Sequence, residues 1–225
     1  MSVPAATALA LTLQIGDSAF PSGAFAYSFG LERLARDGRV DRSTVAAWIE
    51  GELCHRWVPF DRIATARAHG SAAAALTTDA QIEASLWSEP ARKGSRAAGR
   101  GLCAAARRIG LLTDDPIAAA LAGNASPGHL AVVEGRIWRE IGLDAEQTQI
   151  AAGHGFVARL ASAAIRLSLL GALGAQTLRA RLAPRISALV DPAAADAPLA
   201  SAAPLGDIAL MRHDLPGPGA RLFSN

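Results

Sequence analysis

The chain has 225 residues, a length that suits one domain with a sizeable core. Its formal net charge of +2 is no nucleic-acid signature by itself. Hydrophobic residues make up 51 % but aromatics only 5 %, and most of the apolar content is Ala and Leu, strong helix formers, so the chain reads as all-α.

A first helix is expected over about Ala5–Ile15. A Gly/Pro/aromatic segment follows, then a second helix from Tyr27 to about Asp37 that stops near Gly38. Asp41 or Ser43 is placed to cap a third helix through Trp48, Leu53 and Trp57. Pro59 is expected to break it, and Asp61 to start a helix through His69. Thr78 or Asp79 opens the next element, and Pro90 precedes a long helix to about Ile109. Asp114-Asp115-Pro116 begins a short helix ending at Gly123. Helices over His129–Ile141 and Asp144–Leu170 follow, with Asp144 as cap, and a last long one over about Gln176–Val190. The predicted fold is a single-domain helical bundle, residues 1–190, of about eight to ten helices. Residues 191–206, rich in Ala, Pro, Asp and Ser, read as a flexible linker, and 207–225 as a C-terminal partner-binding tail.

No phosphate-cradling P-loop and no GxSxG elbow is present. The five histidines are not spaced to give one helix face two metal ligands, and the acidic residues form no evident acid/base pair. No metal, no cofactor and no catalytic residue is therefore expected. Cys54 and Cys103 form no CxxC and read as free thiols of a reducing compartment. No basic residue precedes Ala5–Leu13, and no stretch reaches the ~18 apolar residues of a membrane span, so a cytoplasmic location is expected.

Three constellations remain. Phe20, Phe25, Tyr27 and Phe29 put four aromatics within ten residues, as core anchors for the first helices or as a rigid surface for a partner. Arg92, Arg96, Arg100 and Arg107 form a basic stripe, beside a face of small residues at Gly94, Ala98, Gly101 and Ala105 that admits close approach of another helix. The stripe reads as a solvated face or as a site for an acidic or nucleotide-carrying partner. The tail places Ile208, Leu210, Met211, Leu222 and Phe223 beyond the linker, where they dock on the chain's own core or on a partner.

These segments, in this order, resemble the UreF family of urease accessory proteins. The family's N-terminal pattern is matched by Leu13, Asp17, Phe20-Pro21, Gly23-Ala24-Phe25, Tyr27-Ser28 and Gly30-Leu31-Glu32. Arg92, Ser95 and Gly99 match its middle pattern, and Asp207-Ile208, Met211-Arg212-His213 and Arg221-Leu222-Phe223 its tail. Asp214 and Gly219-Ala220 depart from that tail, which usually has Glu and Tyr-Ser there. The resemblance implies an all-α dimer that binds the accessory protein UreD (also called UreH), the GTPase UreG and the urease apoenzyme, as a non-catalytic adaptor and chaperone for GTP-dependent nickel insertion. It implies no nucleic-acid or membrane partner. The partner-binding candidates it implies are Phe20, Phe25, Tyr27, Ser28, Glu32, Arg92, Arg96, Met211, Arg212, His213, Arg221, Leu222 and Phe223. The alternative it leaves is a regulator that supplies an arginine in trans to stimulate GTP hydrolysis by UreG.

Overall fold

The computed structural model describes residues 3–23, 27–200, 203–212, 215, 222 and 223. Helix α1 spans Ala5–Gly16 and α2 only Leu31–Arg36. The expected start of α2 at Tyr27 is too early, because Phe29 (φ 55°) and Gly30 (φ 87°) are both left-handed and no right-handed helix includes them. Asp41 gathers the amides of Ser43 and Thr44 at 2.8 and 3.0 Å just ahead of α3 (Val45–Glu52). Hydrogen bonds from the Ser43 and Thr44 hydroxyls and amides hold its carboxyl at about 2.

Pro59 does not break the third helix. Leu53–Asp61 widens into a π-helical stretch, and the rod continues without interruption into α4 (Arg62–Gly70). In an α-helix the proline ring collides with the carbonyl four residues back, and a wider turn relieves that collision. Helix α5 (Ala72–Ser85) also starts earlier than expected. Ser71 caps it through the Ala74 amide at 3.1 Å, and the Ala run behind it propagates the helix. Asp79 therefore lies inside α5 instead of opening it.

The remaining caps follow the sequence closely. Ser88 caps α6 (Glu89–Arg108), with Pro90 in the first turn, and Asp115 caps α7 (Pro116–Ala122). Helix α8 is Leu130–Glu140, and a reciprocal Asp144/Gln147 capping box starts α9 (Ala145–Arg166). Helix α10 (Ala172–Ala188) accommodates Pro184, and α11 is Pro204–Met211. With α3 and α4 joined, the described residues form ten helical rods and no strand, an all-α single domain. No helix among them is long and apolar enough to cross a membrane.

The rods enclose two apolar clusters. One gathers Phe60 of the π-helical stretch and Ala64 of α4 with Ile82, Leu102, Val133 and Ile137, from α5, α6 and α8. The other gathers Leu31, Ile49, Trp57, Phe156, Leu160 and Leu182, and it includes Ala209 and Phe223 of the tail. The segment expected as a linker is anchored over residues 191–200. Arg67 donates to the carbonyls of Ala195 (2.9 Å) and Ala197 (2.8 Å), Ala200 N donates to Pro59 O (3.0 Å), and Ala194 is fully buried.

The small-residue face of α6 does admit a close approach, at Gly94 and Gly101 by the segment that precedes α2. A Cβ on Gly101 would stand 2.5 Å from the Ser22 carbonyl oxygen, and one on Gly94 would stand 3.1 Å from the Tyr27 ring. Replacing Gly101 by Leu is expected to lower stability by about 1–3 kcal/mol through overpacking. Thermal denaturation checks this; an unchanged Tm would mean that the loop yields freely.

Candidate partner interface

The tail and the segment before α2 come together around one buried carboxylate. Glu32 is 1 % exposed; its Oε1 accepts from Arg36 at 3.0 Å and from the Leu222 amide at 2.6 Å. Ser28, fully buried, receives the Glu32 amide on its Oγ. Phe223 enters the second cluster beneath the Arg166 guanidinium, 4.0 Å from the ring centroid. Arg33 donates to the Leu215 carbonyl at 2.9 Å, and Arg212 reaches Asp37 at 3.3 Å.

Helix α11 has two unlike faces. Gly206, Asp207, Ala209 and Leu210 turn inward and are buried. Gly30 meets it so closely that a Cβ would stand 2.7 Å from Gly206 O. Leu205, Ile208 and Met211, three residues apart, face outward, and with Leu215 and Leu222 they are 44–57 % exposed. The sequence left the tail's apolar residues to the chain's own core or to a partner, with Phe223 among the interface candidates; the structure assigns Leu210 and Phe223 to the core and leaves Ile208, Met211 and Leu222 on the surface. Phe25, His213 and Arg221 lie outside the described residues.

The other candidates lie apart from the tail face. Phe20 and Tyr27 are half-buried against the first cluster. Arg92 and Arg96 are engaged within the chain: Arg96 pairs with Glu83 at 2.9 Å and Glu89 at 2.8 Å, and Arg92 pairs with Glu89 at 2.9 Å and donates to the Leu86 carbonyl. Arg100 holds the carbonyls of Pro127 (2.8 Å) and Ser126 (2.9 Å).

That loop, ahead of α8, is the centre of a network the sequence did not show. Asp79, fully buried, accepts from the Ser126 hydroxyl and from the amides of Gly128 (2.7 Å) and His129 (2.8 Å). The His129 ring bonds Ser95 Oγ through Nδ1 and Glu83 Oε2 through Nε2, each at 3.0 Å. Serine, histidine and glutamate in a row resemble an activated nucleophile. Here the adjoining cavity is about 40 Å³, room for a few waters and not for a substrate, and Ser95 Oγ also receives the Leu130 amide. The arrangement suits fixing the loop between α5 and α6.

A second unpredicted feature occupies the junction of the two clusters. Arg56 and Asp61 of the π stretch, Glu134 of α8 and Arg159 of α9 line the same cavity. Glu134 and Arg159 pair at 2.6 Å, and Arg56 reaches Asp61 at 3.7 Å and Asp207 of α11 at 3.4 Å. Arg56 and Asp61 are five apart in sequence, and only the wider π turn sets them facing, so no α-helical spacing rule finds them. Among the described residues, no group of three or more His, Cys, Asp or Glu side chains is arranged to hold a metal ion.

The chain as a whole is similar to known proteins. The model of the UreF family matches residues 40–183. The chain is 29 % identical to a urease accessory protein UreF of Trichodesmium erythraeum, with 95 % of each chain covered. It is 34 % identical to one of Cereibacter sphaeroides over 87 % of this chain and 89 % of that one. A third, from Rhizobium etli, is 32 % identical over 87 % of each.

The His129 network generates a pH dependence. Burial pushes the His129 pKa below its ordinary 6.5, against the pull of Asp79 and Glu83. A depressed histidine contributes stability that is present above the ordinary value and lost as pH falls. Acidification below about pH 6.5 is expected to destabilise the wild type more steeply than His129→Gln. Denaturant titrations across pH measure both slopes; parallel curves would show that this ring does not carry the effect.

Proposed function

The chain belongs to the UreF family of urease accessory proteins and so has a role in urease maturation, and we propose that it acts there as a non-catalytic adaptor. In this reading it bridges UreD (UreH) and the GTPase UreG upstream of the urease apoenzyme, and nickel is the cargo of the assembly, inserted in a GTP-dependent step. The observation that carries it is the two-faced helix α11, whose inner side is anchored and whose outer side presents Leu205, Ile208 and Met211 to solvent. Contiguous exposed apolar residues on an ordered element mark a protein-binding surface. Because Arg92 and Arg96 are held by Glu83 and Glu89, the adaptor role is better supported than an arginine supplied to UreG in trans. Exposed Leu9 and Leu13 of α1 provide apolar surface for the homodimer that the family implies.

The outer face is testable without disturbing the core. Ile208→Asp with Met211→Asp is expected to leave stability within about 0.5 kcal/mol. The same pair should abolish capture of UreD and urease activation, a loss of at least about 2 kcal/mol in binding. Phe223→Ala removes a ring from the chain's own core instead, and should loosen the tail from the bundle. Circular dichroism and a pull-down with UreD separate these effects. Wild-type affinity in the double variant would remove α11 from the interface.

A further inference from the structure

Glu52, in the last turn of α3, lies against the inner face of α11. A Cβ on Gly206 would stand 2.9 Å from Glu52 Oε1, and Glu52 Oε2 is buried with no hydrogen-bond partner among the described residues. Around it lie Arg56 and Asp61 of the π stretch and Asp207 of α11, with the Glu134–Arg159 pair of α8 and α9 beyond them on the cavity wall. Four carboxylates thus face two guanidiniums. Arg159 is taken by Glu134, and Arg56 is shared between Asp61 and Asp207. Glu52 is the carboxylate left over, without an ion pair at 4.0 Å or less in the described structure. A buried carboxylate without a counter-charge is resolved most cheaply by a proton.

We propose that α11 is a proton-linked latch: Glu52 carries a proton while α11 is docked and releases it when α11 leaves, so that docking weakens as the solution becomes more alkaline. Helix α11 supplies both things that oppose ionisation of Glu52, its cover and the charge of Asp207. Burial first, then Asp207 and Asp61 against the pull of Arg56, lift the Glu52 carboxyl to about 7. With α11 away, the cover and the Asp207 charge are lost and Glu52 returns toward its ordinary value of 4.5. Through Glu52, docking therefore weakens as pH rises from the ordinary carboxylate range toward 7, and levels off above it. The full shift would change the docking equilibrium about 300-fold, and a tenth to a third of that is expected because α3 keeps part of Glu52 covered. That the latch governs presentation of the outer face to a partner rests on the function proposed above; the latch itself does not.

Hydrogen–deuterium exchange on the full chain tests it, with each rate divided by the intrinsic rate at that pH. Protection of residues 203–212 is expected to fall by roughly twenty- to fifty-fold between about pH 5 and pH 8 while protection of α8 holds. Glu52→Gln should flatten the profile, and Asp207→Asn should move its midpoint to lower pH. A flat wild-type profile, an unchanged slope in Glu52→Gln, or parallel loss in α8 would each overturn the latch. If circular dichroism shows that Glu52→Gln does not fold, an unmoved midpoint in Asp207→Asn overturns it instead. A wild-type chain whose latch titrates as expected but which captures no UreD would count against the proposed function alone.

Discussion

Arg56 sits where the two apolar clusters meet, and a guanidinium in that position cannot be left without carboxylates. Burial works against its charge, yet the carboxyl groups around it, Asp61 first among them, outweigh burial and hold its pKa above the ordinary arginine value. The Phe29 ring lies 5.6 Å from the guanidinium and 6.0 Å from Phe156, which closes the apolar side of the site. Several local choices follow from this one charge. The rod must bring Asp61 round to Arg56, which the π stretch at Pro59 does. The tail must return to the bundle, because Asp207 is part of what neutralises Arg56. The left-handed turn at Phe29-Gly30 must place a flat ring and a bare backbone where α11 arrives.

Arginine recurs where a loop or a helix end is fastened to a helix. Arg62 donates to the Leu189 carbonyl, Arg67 to Ala195 and Ala197, Arg100 to Ser126 and Pro127, Arg136 to Ala68, and Arg139 to His69 and Gly70. A planar fork of five donors spans two carbonyls at once, whereas an ammonium is a compact point charge. An Ala-rich bundle with few aromatics has little bulk to pin its loops, and these forks supply part of the fastening. This gives a physical reason for the near absence of lysine among the 22 basic residues. It also shows why a stripe such as Arg92–Arg96–Arg100, which sequence spacing presents as a free surface, is spent inside the chain.

What was legible in the sequence were features with local causes. Asp115 and Asp144 act as caps and Pro90 sits in a first turn because such signals depend on three or four consecutive residues, and the all-α class followed from composition and periodicity. What was not legible depends on residues distant in the chain. Asp79 looked like a helix start because its type favours caps, but its partners are amides about fifty residues away. Pro59 looked like a breaker because only the α-helical turn was considered. His129 was one of five unpaired histidines until Ser95 and Glu83 were brought to its two nitrogens. Composition marked residues 191–206 as a linker, but backbone carbonyls at 195 and 197 bond Arg67 whatever side chains they carry.

The tail is where these two kinds of information meet. Leu205, Ile208 and Met211 repeat every three residues and fall on one side; Gly206, Ala209 and Leu210 fall on the other, small enough for close approach except at Leu210. A segment that bound only a partner would gain nothing from a buried Asp207 facing Arg56, and one that only completed the core would not leave its larger apolar side chains in water. Docking the inner face in advance changes the energetics of the outer one. A disordered tail pays its ordering entropy when it binds, whereas a helix already held by Arg56, with Leu215 and Leu222 beyond it held by Arg33 and Glu32, has paid it during folding. The contacts that fasten α11 to the bundle thus act on partner affinity without touching the partner.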